Sequence, residues 1–176
     1  MRNGLNGGLL VGALAFAAAA PACASKTCST VGCFDQFTAK VQRADGSFPS
    51  GAHRIDVVAD GVSLSCTFDF PIEALPGGGA AAPTCSSGLT AFVGPATVCT
   101  QATVSGGSTY TCDPIPGQYV ESIALAGTPA QLHASQSVDG ASILDVVAAP
   151  SYQDVQPNGP ECGTVCRQAS ASWTLN

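Results

Sequence analysis

Apolar and polar residues alternate with a period of two along much of this chain, which is typical of half-buried β-strands. Phe37, Ala39 and Val41 share one face of the first such segment. The pattern is clearest from 54 to 70, where Asp60-Gly61 is typical of a two-residue hairpin turn that needs positive φ at both positions. This turn predicts the cross-strand partners Ala59 and Val62, Val57 and Leu64, and Ile55 and Cys66.

Further strand-like segments follow, separated by turn residues. They cover 89–93, 97–104, 108–112, 119–126, 131–138, 141–148 and 169–175. Hairpin turns are predicted at 105–107 and at Asp139-Gly140, and loops at 71–88 and 150–160. Pro114, Pro116 and Gly117 are expected to end the hairpin that begins at 97.

The last segment has the same alternation, with Ala169, Ala171, Trp173 and Leu175 on one face. No segment shows a sustained helical period. About eight short strands with turns between them predict an all-β fold. We expect an antiparallel β-sandwich, immunoglobulin-like in architecture, with a small closed barrel as the main alternative.

The first residues have the pattern of a secretory signal peptide. A basic start at Arg2 precedes an apolar stretch from 9 to 20, which then meets Pro21 and small residues. The stretch is shorter than the roughly 20 apolar residues that a membrane-spanning helix needs. We therefore expect a signal peptide at 1–22, a short N-terminal tether at 23–33 and a single domain at 34–176.

Cys23 lies where bacterial lipoproteins are cleaved and lipidated, although Ala20 stands where that pattern usually has Leu. The chain has nine cysteines, and without Cys23 an even number remains. Cleavage after Ala22 without lipidation would leave an odd thiol, which is anomalous in an exported protein. Lipidation of Cys23 and its removal by cleavage after Ala24 are therefore the two alternatives, and lipidation is slightly favoured.

The other cysteines are predicted to form four disulfides, because cysteine-rich exported chains fold under oxidising conditions. They are Cys28, Cys33, Cys66, Cys85, Cys99, Cys112, Cys162 and Cys166. The spacing of Cys162 and Cys166 would also suit zinc, but the export signal favours disulfides. Sequence alone cannot select one of roughly a hundred pairings. A two-residue turn at Ser105-Gly106 would place Cys99 opposite Cys112, whereas a turn at Gly106-Gly107 would break that alignment. Local proximity favours Cys162–Cys166 and Cys28–Cys33, and leaves Cys66 for Cys85.

Composition excludes several classes of function. The chain has six Lys and Arg residues and twelve Asp and Glu residues, and the basic residues form no cluster. Nucleic-acid binding is therefore excluded, and membrane association is expected only through a lipid anchor. The chain lacks a G-x-S-x-G elbow, an EF-hand calcium loop and a Gly-rich phosphate loop that opens a helix. No catalytic residue, metal ligand or cofactor is predicted.

The remaining candidates for chemistry or recognition are single polar side chains. His53 follows a turn and is expected to face solvent, while His133 lies in a polar strand. Asp56 and Asp69 are expected on the outer face of the first hairpin. Tyr152 is the best candidate for a contact residue, because Tyr is enriched in interfaces. The alternative for Tyr152 is a corner tyrosine whose hydroxyl bonds to the backbone.

Two stretches, Ser65–Pro71 and Pro157–Cys162 followed by Cys166–Ala169, carry a resemblance to known sequences. With the cysteine layout, they resemble a group of uncharacterised bacterial exported proteins and lipoproteins with a cysteine-rich β-sandwich domain. The resemblance implies a compartment and a fold, and it transfers no functional residue.

We therefore expect a non-catalytic exported module of the cell envelope or extracellular space, with a structural or protein-binding role. Its partner would be a protein or another envelope component. Its location would be the outer membrane or cell surface if it is lipidated, and otherwise the periplasm or the extracellular space. The alternative is a secreted hydrolase with a loop-built active site. A polar cleft with displaced pKa values would favour that alternative.

Overall fold

The structure, a computed structural model, describes residues 32–71, 83–104, 107–163 and 165–176. These residues form ten β-strands and one 3-10 turn. The strands are β1 (Gln36–Gln42), β2 (Gly51–Ala59), β3 (Val62–Phe70), β4 (Thr84–Cys85), β5 (Leu89–Val104), β6 (Gly107–Ala126), β7 (Leu132–Val138), β8 (Ala141–Ala148), β9 (Gln153–Val155) and β10 (Cys166–Thr174). The all-β prediction is confirmed for this part of the chain.

The strands form two five-stranded sheets. The first sheet has the order β5-β6-β1-β10-β9 and the second has the order β4-β3-β2-β7-β8. Neighbouring strands run antiparallel except β1 and β10, which pair in parallel with Gln36 opposite Gln168. This parallel pair joins the first and last strands of the domain, a contact that no local pattern could indicate.

The predicted hairpin around Asp60-Gly61 is β2–β3, and its predicted register is confirmed. Both turn residues have positive φ, 47° at Asp60 and 84° at Gly61. Of the six residues predicted to share the apolar face, Val62 is exposed because it adjoins the turn, and Leu64 is half-buried. The hairpin that turns at Asp139-Gly140 is also confirmed, as β7–β8. A bulge between Gln136 and Ser137 explains why apolar and polar residues alternate less regularly in this hairpin.

The prediction of separate short strands between 89 and 126 is wrong. The chain forms two long strands, β5 and β6, which pair continuously except for a bulge between Pro95 and Thr97. Pro114 and Pro116 lie inside β6 and do not end it. β1 pairs with β6 only from Glu121 to Ala126, so the prolines occupy a stretch with a single neighbouring strand. A proline there can turn its missing N–H away from that neighbour.

Three short elements also fall in predicted loops or at their ends. β4 lies in the segment predicted as a loop from 71 to 88, of which 72–82 are outside the described residues. β9 and a 3-10 turn at Pro160–Cys162 lie in or at the end of the predicted loop from 150 to 160. β9 exists because it pairs with the start of β10, and a segment this short carries no period-two pattern.

Both sheets contribute side chains to one hydrophobic core. The first sheet provides Phe37, Ala39, Val41, Ile123, Leu125 and Ala169, and the second provides Ile55, Val57, Ala59, Cys66, Leu132, Ala134, Ile143 and Leu144. The faces predicted for β1 and β10 are confirmed. Trp173 is half-buried at the margin of this core, with its ring 5.8 Å from that of Phe37.

Three disulfides join cysteines within the described residues. Cys66–Cys85 and Cys99–Cys112 have the predicted pairing, each with a Cα–Cα distance of 4.0 Å. Cys33 bonds to Cys166, so the predicted pairings Cys28–Cys33 and Cys162–Cys166 are wrong. Cys33 and Cys166 meet because the parallel pairing of β1 and β10 places the beginnings of both strands side by side. Cys162 is disulfide-bonded as well. Cys23 and Cys28 lie outside the described residues.

Asp60 has a second role besides forming the turn. Its carboxylate accepts hydrogen bonds from the backbone N–H groups of Ala130, at 3.0 and 3.1 Å, and Gln131, at 3.0 Å. Replacing Asp60 by Ala should reduce the free energy of unfolding by about 2–4 kcal/mol, because these bonds are lost and Ala resists positive φ. Chemical denaturation checks this. Asp60→Asn is the matched control, which keeps an acceptor and should cost less than about 1 kcal/mol; equal losses would contradict the role of the side chain.

Candidate functional site

Three polar side chains are buried together between the sheets, and we call them the interior polar cluster. Glu121 comes from β6 in the first sheet, and His53 and Gln136 come from β2 and β7 in the second sheet. Their exposed fractions are 0%, 2% and 1%. Each lies two positions from buried apolar residues of its own strand. Because residues two apart share a face, strand periodicity directs all three to the core.

Gln136 links the cluster. Its Nε2 donates to Glu121 Oε1 at 3.2 Å and lies 3.2 Å from His53 Nδ1. His53 Nε2 is 2.8 Å from the carbonyl oxygen of Pro49, which can only accept, so the ring proton is assigned to Nε2. His53 Nδ1 is then the acceptor for the Gln136 amide, which is consistent with a neutral ring.

Burial displaces both ionisable groups of the cluster towards neutrality. Burial raises the pKa of Glu121 to about 8, against a smaller lowering effect of the Gln136 hydrogen bond. Burial also lowers the pKa of His53, an effect larger than the raising effect of its bond to Pro49. Glu121 Oε2 and Gln136 Oε1 are buried acceptors without a hydrogen-bond partner among the described residues. A charged carboxylate would have only the Gln136 amide as a donor in this buried site, so the neutral acid is the favoured state.

The prediction that His53 faces solvent is wrong. β2 begins at Gly51, earlier than predicted, so His53 shares the buried face of Ile55 and Val57. Its ring stacks against those of Phe48 and Phe68, with centroid distances of 4.8 and 4.7 Å. The alternation through 53, 55 and 57 could have indicated this position, but the preceding turn residues obscured the start of the strand.

The interior polar cluster is too enclosed to act on a substrate. A general acid or base must come within hydrogen-bond reach of the group that it protonates or deprotonates. The exposed fractions of Glu121, Gln136 and His53 leave no such approach in the described structure. The cluster therefore acts on stability and on the alignment of the two sheets.

The most exposed element is the distal part of the β5–β6 hairpin, residues 97–104 and 107–114, which we call the arm. Every side chain that the structure describes in the arm is exposed. The strands are joined across the arm by Cys99–Cys112. Asp113 is the only charged residue in these two ranges, and Val98 and Tyr110 are large apolar residues with 53% and 67% exposure. The predicted turn residues 105 and 106 lie outside the described residues.

Tyr152 has the backbone contact expected of a corner tyrosine, which is the alternative interpretation of this residue. Its hydroxyl donates to the carbonyl oxygen of Pro129 at 3.1 Å. The guanidinium of Arg167 lies 5.4 Å from its ring centre, and burial raises the pKa of the hydroxyl. A partner could still contact the ring, so the recognition role of Tyr152 stays a prediction.

The other polar residues singled out in the sequence lie on outer faces. Asp56 and Asp69 lie on the outer face of the first hairpin, as predicted, and Asp56 pairs with Arg54 at 2.7 Å. His133 is exposed and contacts Asp145 at 2.7 Å across β7 and β8. These pairs lie on one open face of the second sheet and do not enclose a substrate.

A polar groove of about 370 Å³ follows the outer side of β1, β10 and β9. Its polar lining consists of Gln36, Thr38, Ser151, Gln153, Gln168 and Ser170. These amides and hydroxyls provide hydrogen bonds but no ionisable group, so the groove offers no acid–base chemistry.

Within the described ranges, no group of three or more His, Cys, Asp or Glu side chains is arranged to hold a metal ion. No helix in this part of the chain is long and apolar enough to cross a membrane. Comparison of the chain with protein-family models, with curated proteins and with solved structures returned no match.

Proposed function

We propose that this protein is an exported, non-catalytic module of the cell envelope or extracellular space that binds another protein through its arm. The observation that carries the proposal is the arm itself, a long hairpin that is exposed on both faces and stapled by Cys99–Cys112. We also propose an immunoglobulin-like β-sandwich as its architecture, since two sheets share one core.

The cysteines support the export part of the proposal. Three disulfides are compatible with an oxidising, exported location, because cytosolic thiols are kept reduced. The N-terminal pattern and the resemblance to bacterial exported proteins agree with that location. Lipidation at Cys23 would hold the module at the outer membrane or cell surface, and its removal would release the module to the periplasm or medium.

The composition of the arm supports a binding role. An isolated two-stranded hairpin is only marginally stable in water, so an extended arm needs an additional constraint to keep its shape. The Cys99–Cys112 disulfide supplies that constraint and reduces the ordering cost on binding. Exposed Tyr and Val side chains with almost no charge suit an interface core, from which charged residues are depleted.

Nothing in the described residues specifically favours the hydrolase alternative. The cluster with the displaced pKa values is enclosed between the sheets, and the exposed acids and histidine lie on open strand faces. A non-catalytic role is therefore the simpler proposal.

Shortening the arm tests the proposal. Replacing residues 99–112 by Asn-Gly would join Val98 to Asp113, which already face each other in register, and would remove both cysteines of the staple. Protein cross-linking in the envelope and secreted fractions of the producing cell should capture a partner with the parent protein and lose it with the shortened one. Val147→Ala is the control, because Val147 is exposed on β8 and the change leaves the arm unchanged.

Two outcomes would contradict the proposal. One is an unchanged cross-linked partner after the arm has been shortened, in a variant whose unfolding free energy stays within about 1 kcal/mol of the parent. The other is reproducible turnover of a peptide, ester or glycan substrate that a single substitution abolishes, which would favour the hydrolase.

A further inference from the structure

We propose that the partner of the arm is a second copy of this chain, and that the outer edge of β5 pairs antiparallel with the same edge of its copy. The inference rests on the proposed protein-binding role and names the partner for that site. The proposed pairing uses the free backbone N–H and C=O groups of the arm more than its side chains.

The register of the arm shows which backbone groups are free. Cys99 faces Cys112 with a Cα–Cα distance of 4.0 Å. Antiparallel pairs that do not exchange hydrogen bonds are about 4.5 Å apart, whereas pairs that do are about 5.5 Å apart. Cys99 therefore belongs to a pair that does not bond to β6. By alternation, the N–H and C=O groups of Cys99, Gln101 and Thr103 point away from β6.

This edge has no neighbour among the described residues, because β5 is the outermost strand of the first sheet. Proteins usually protect such an edge with lysine, proline or a short strand. From 97 to 103 the sequence contains no charged residue and no proline. The opposite edge of the arm is different, because Pro114 lies there in the same alternation as Cys112, with no N–H to offer. The β5 edge, from Thr97 to Thr103, therefore offers a longer run of outward N–H groups to another strand than the β6 edge does.

A second copy fits this edge symmetrically. A two-fold axis beside Gln101 places Gln101 opposite its own copy, and Cys99 opposite Thr103 of the copy. Each of these pairs can exchange two backbone hydrogen bonds. Gln101 also faces Tyr110 within the arm, so the joined sheet would carry an uninterrupted row of Tyr, Gln, Gln and Tyr. No charged side chain from either β5 edge enters this row.

The same symmetry favours a second copy over an unrelated strand. One unblunted edge is self-complementary under a two-fold axis, so no separate partner surface is needed. The protein carries a net charge of −6, yet the only charge in the arm is Asp113 on β6, away from the pairing edge. Self-pairing at β5 therefore avoids the like-charge contacts that the rest of the surface would create.

Substitution of Gln101 tests the pairing. Gln101→Pro removes an outward N–H without removing a hydrogen bond to β6, so the arm and its disulfide should persist. Sedimentation equilibrium of the full protein with intact disulfides should show a monomer–dimer equilibrium. Gln101→Pro should raise the dissociation constant about tenfold or more, and Gln101→Ala, which keeps the N–H, should leave it nearly unchanged.

Hydrogen exchange locates the interface. The outward amides of Cys99, Gln101 and Thr103 should become protected as the protein concentration rises, while Thr100, whose amide faces β6, should be protected throughout. The absence of free thiols would show that each variant retains Cys99–Cys112.

The outcomes separate this inference from the proposed function. A protein that stays monomeric at every concentration, or a dimer that Gln101→Pro and Gln101→Ala weaken equally, would overturn pairing with a second copy. If such a monomer still loses an envelope partner when the arm is shortened, the binding role stands and the partner is another chain. A dimer that survives shortening of the arm would place the contact elsewhere and also overturn the inference.

Discussion

The protein should lose stability as the pH rises from 4.5 towards 8, because folding keeps Glu121 protonated in a site that excludes its charge. The pKa of Glu121 is raised from 4.5 to about 8 by burial. Below pH 4.5 the carboxyl is neutral in both states, and its contribution is fully present. Above that pH the unfolded chain releases the proton and the folded chain retains it. The loss is about 1.4 kcal/mol per pH unit, or about 5 kcal/mol once the pH exceeds 8.

Glu121→Gln isolates this effect, because the amide has a similar shape and no charge. Its unfolding free energy, measured by urea denaturation between pH 4.5 and 8.5, should increase relative to the parent by about 5 kcal/mol over the window. Asp113→Asn is the control, since its carboxylate is exposed on the arm, outside the interior polar cluster. If both variants follow the parent at all pH values, Glu121 is not buried as the structure describes.

His53 acts in the opposite direction at lower pH. Burial holds the pKa of His53 below 6.5, so its contribution is present above that value and is lost as the pH falls through the lowered folded pKa. The parent protein should therefore be most stable at weakly acidic pH. Both ionisable groups of the interior polar cluster stabilise the fold while they are uncharged.

Two disulfides that close loops of similar length should differ sharply in their effect on stability. Cys66–Cys85 spans 19 residues and Cys99–Cys112 spans 13. Chain entropy alone predicts about 3 kcal/mol for either loop. Cys66 is fully buried in the core, whereas both cysteines of the arm are exposed. Replacing Cys66 and Cys85 by Ala should cost about 3–5 kcal/mol, because a core void adds to the lost constraint.

Replacing Cys99 and Cys112 by Ala should cost less than about 1 kcal/mol of global stability, because the arm can fray while both sheets stay folded. The two double variants are matched, since each removes one staple and leaves no free thiol. Denaturation would measure the global difference, and hydrogen exchange at Thr100 and Thr111 should show that the arm alone has opened. Equal global losses in the two variants would mean that the arm unfolds together with the core.

The two ends of β6 have different roles, because one end belongs to the arm and the other contributes to the interior polar cluster. From Glu121 to Ala126, β6 pairs on both sides and contributes to the core. From Gly107 to Pro114 it pairs only with β5 and is exposed. One continuous strand thus connects the arm to the core, which would lower the ordering cost of the proposed binding.

Features that depend on a few neighbouring residues could be predicted from the sequence. Alternation at 37, 39 and 41 set the buried face of β1, and the Asp-Gly pairs at 60–61 and 139–140 set two turns. Because a turn fixes the register of its hairpin, the cross-strand pairs of β2 and β3 and the Cys99–Cys112 disulfide could be predicted. These features need no knowledge of distant parts of the chain.

The contacts between distant segments became known only from the folded structure. The parallel pairing of β1 with β10 brings Cys33 to Cys166, where proximity along the chain had indicated other pairings. The packing of the two sheets brings Glu121 to Gln136 and His53, and it converts an ordinary acid into a buried neutral one. Strand order and sheet packing depend on the total apolar surface that folding buries. This total is a sum over the whole chain, so no local pattern encodes it.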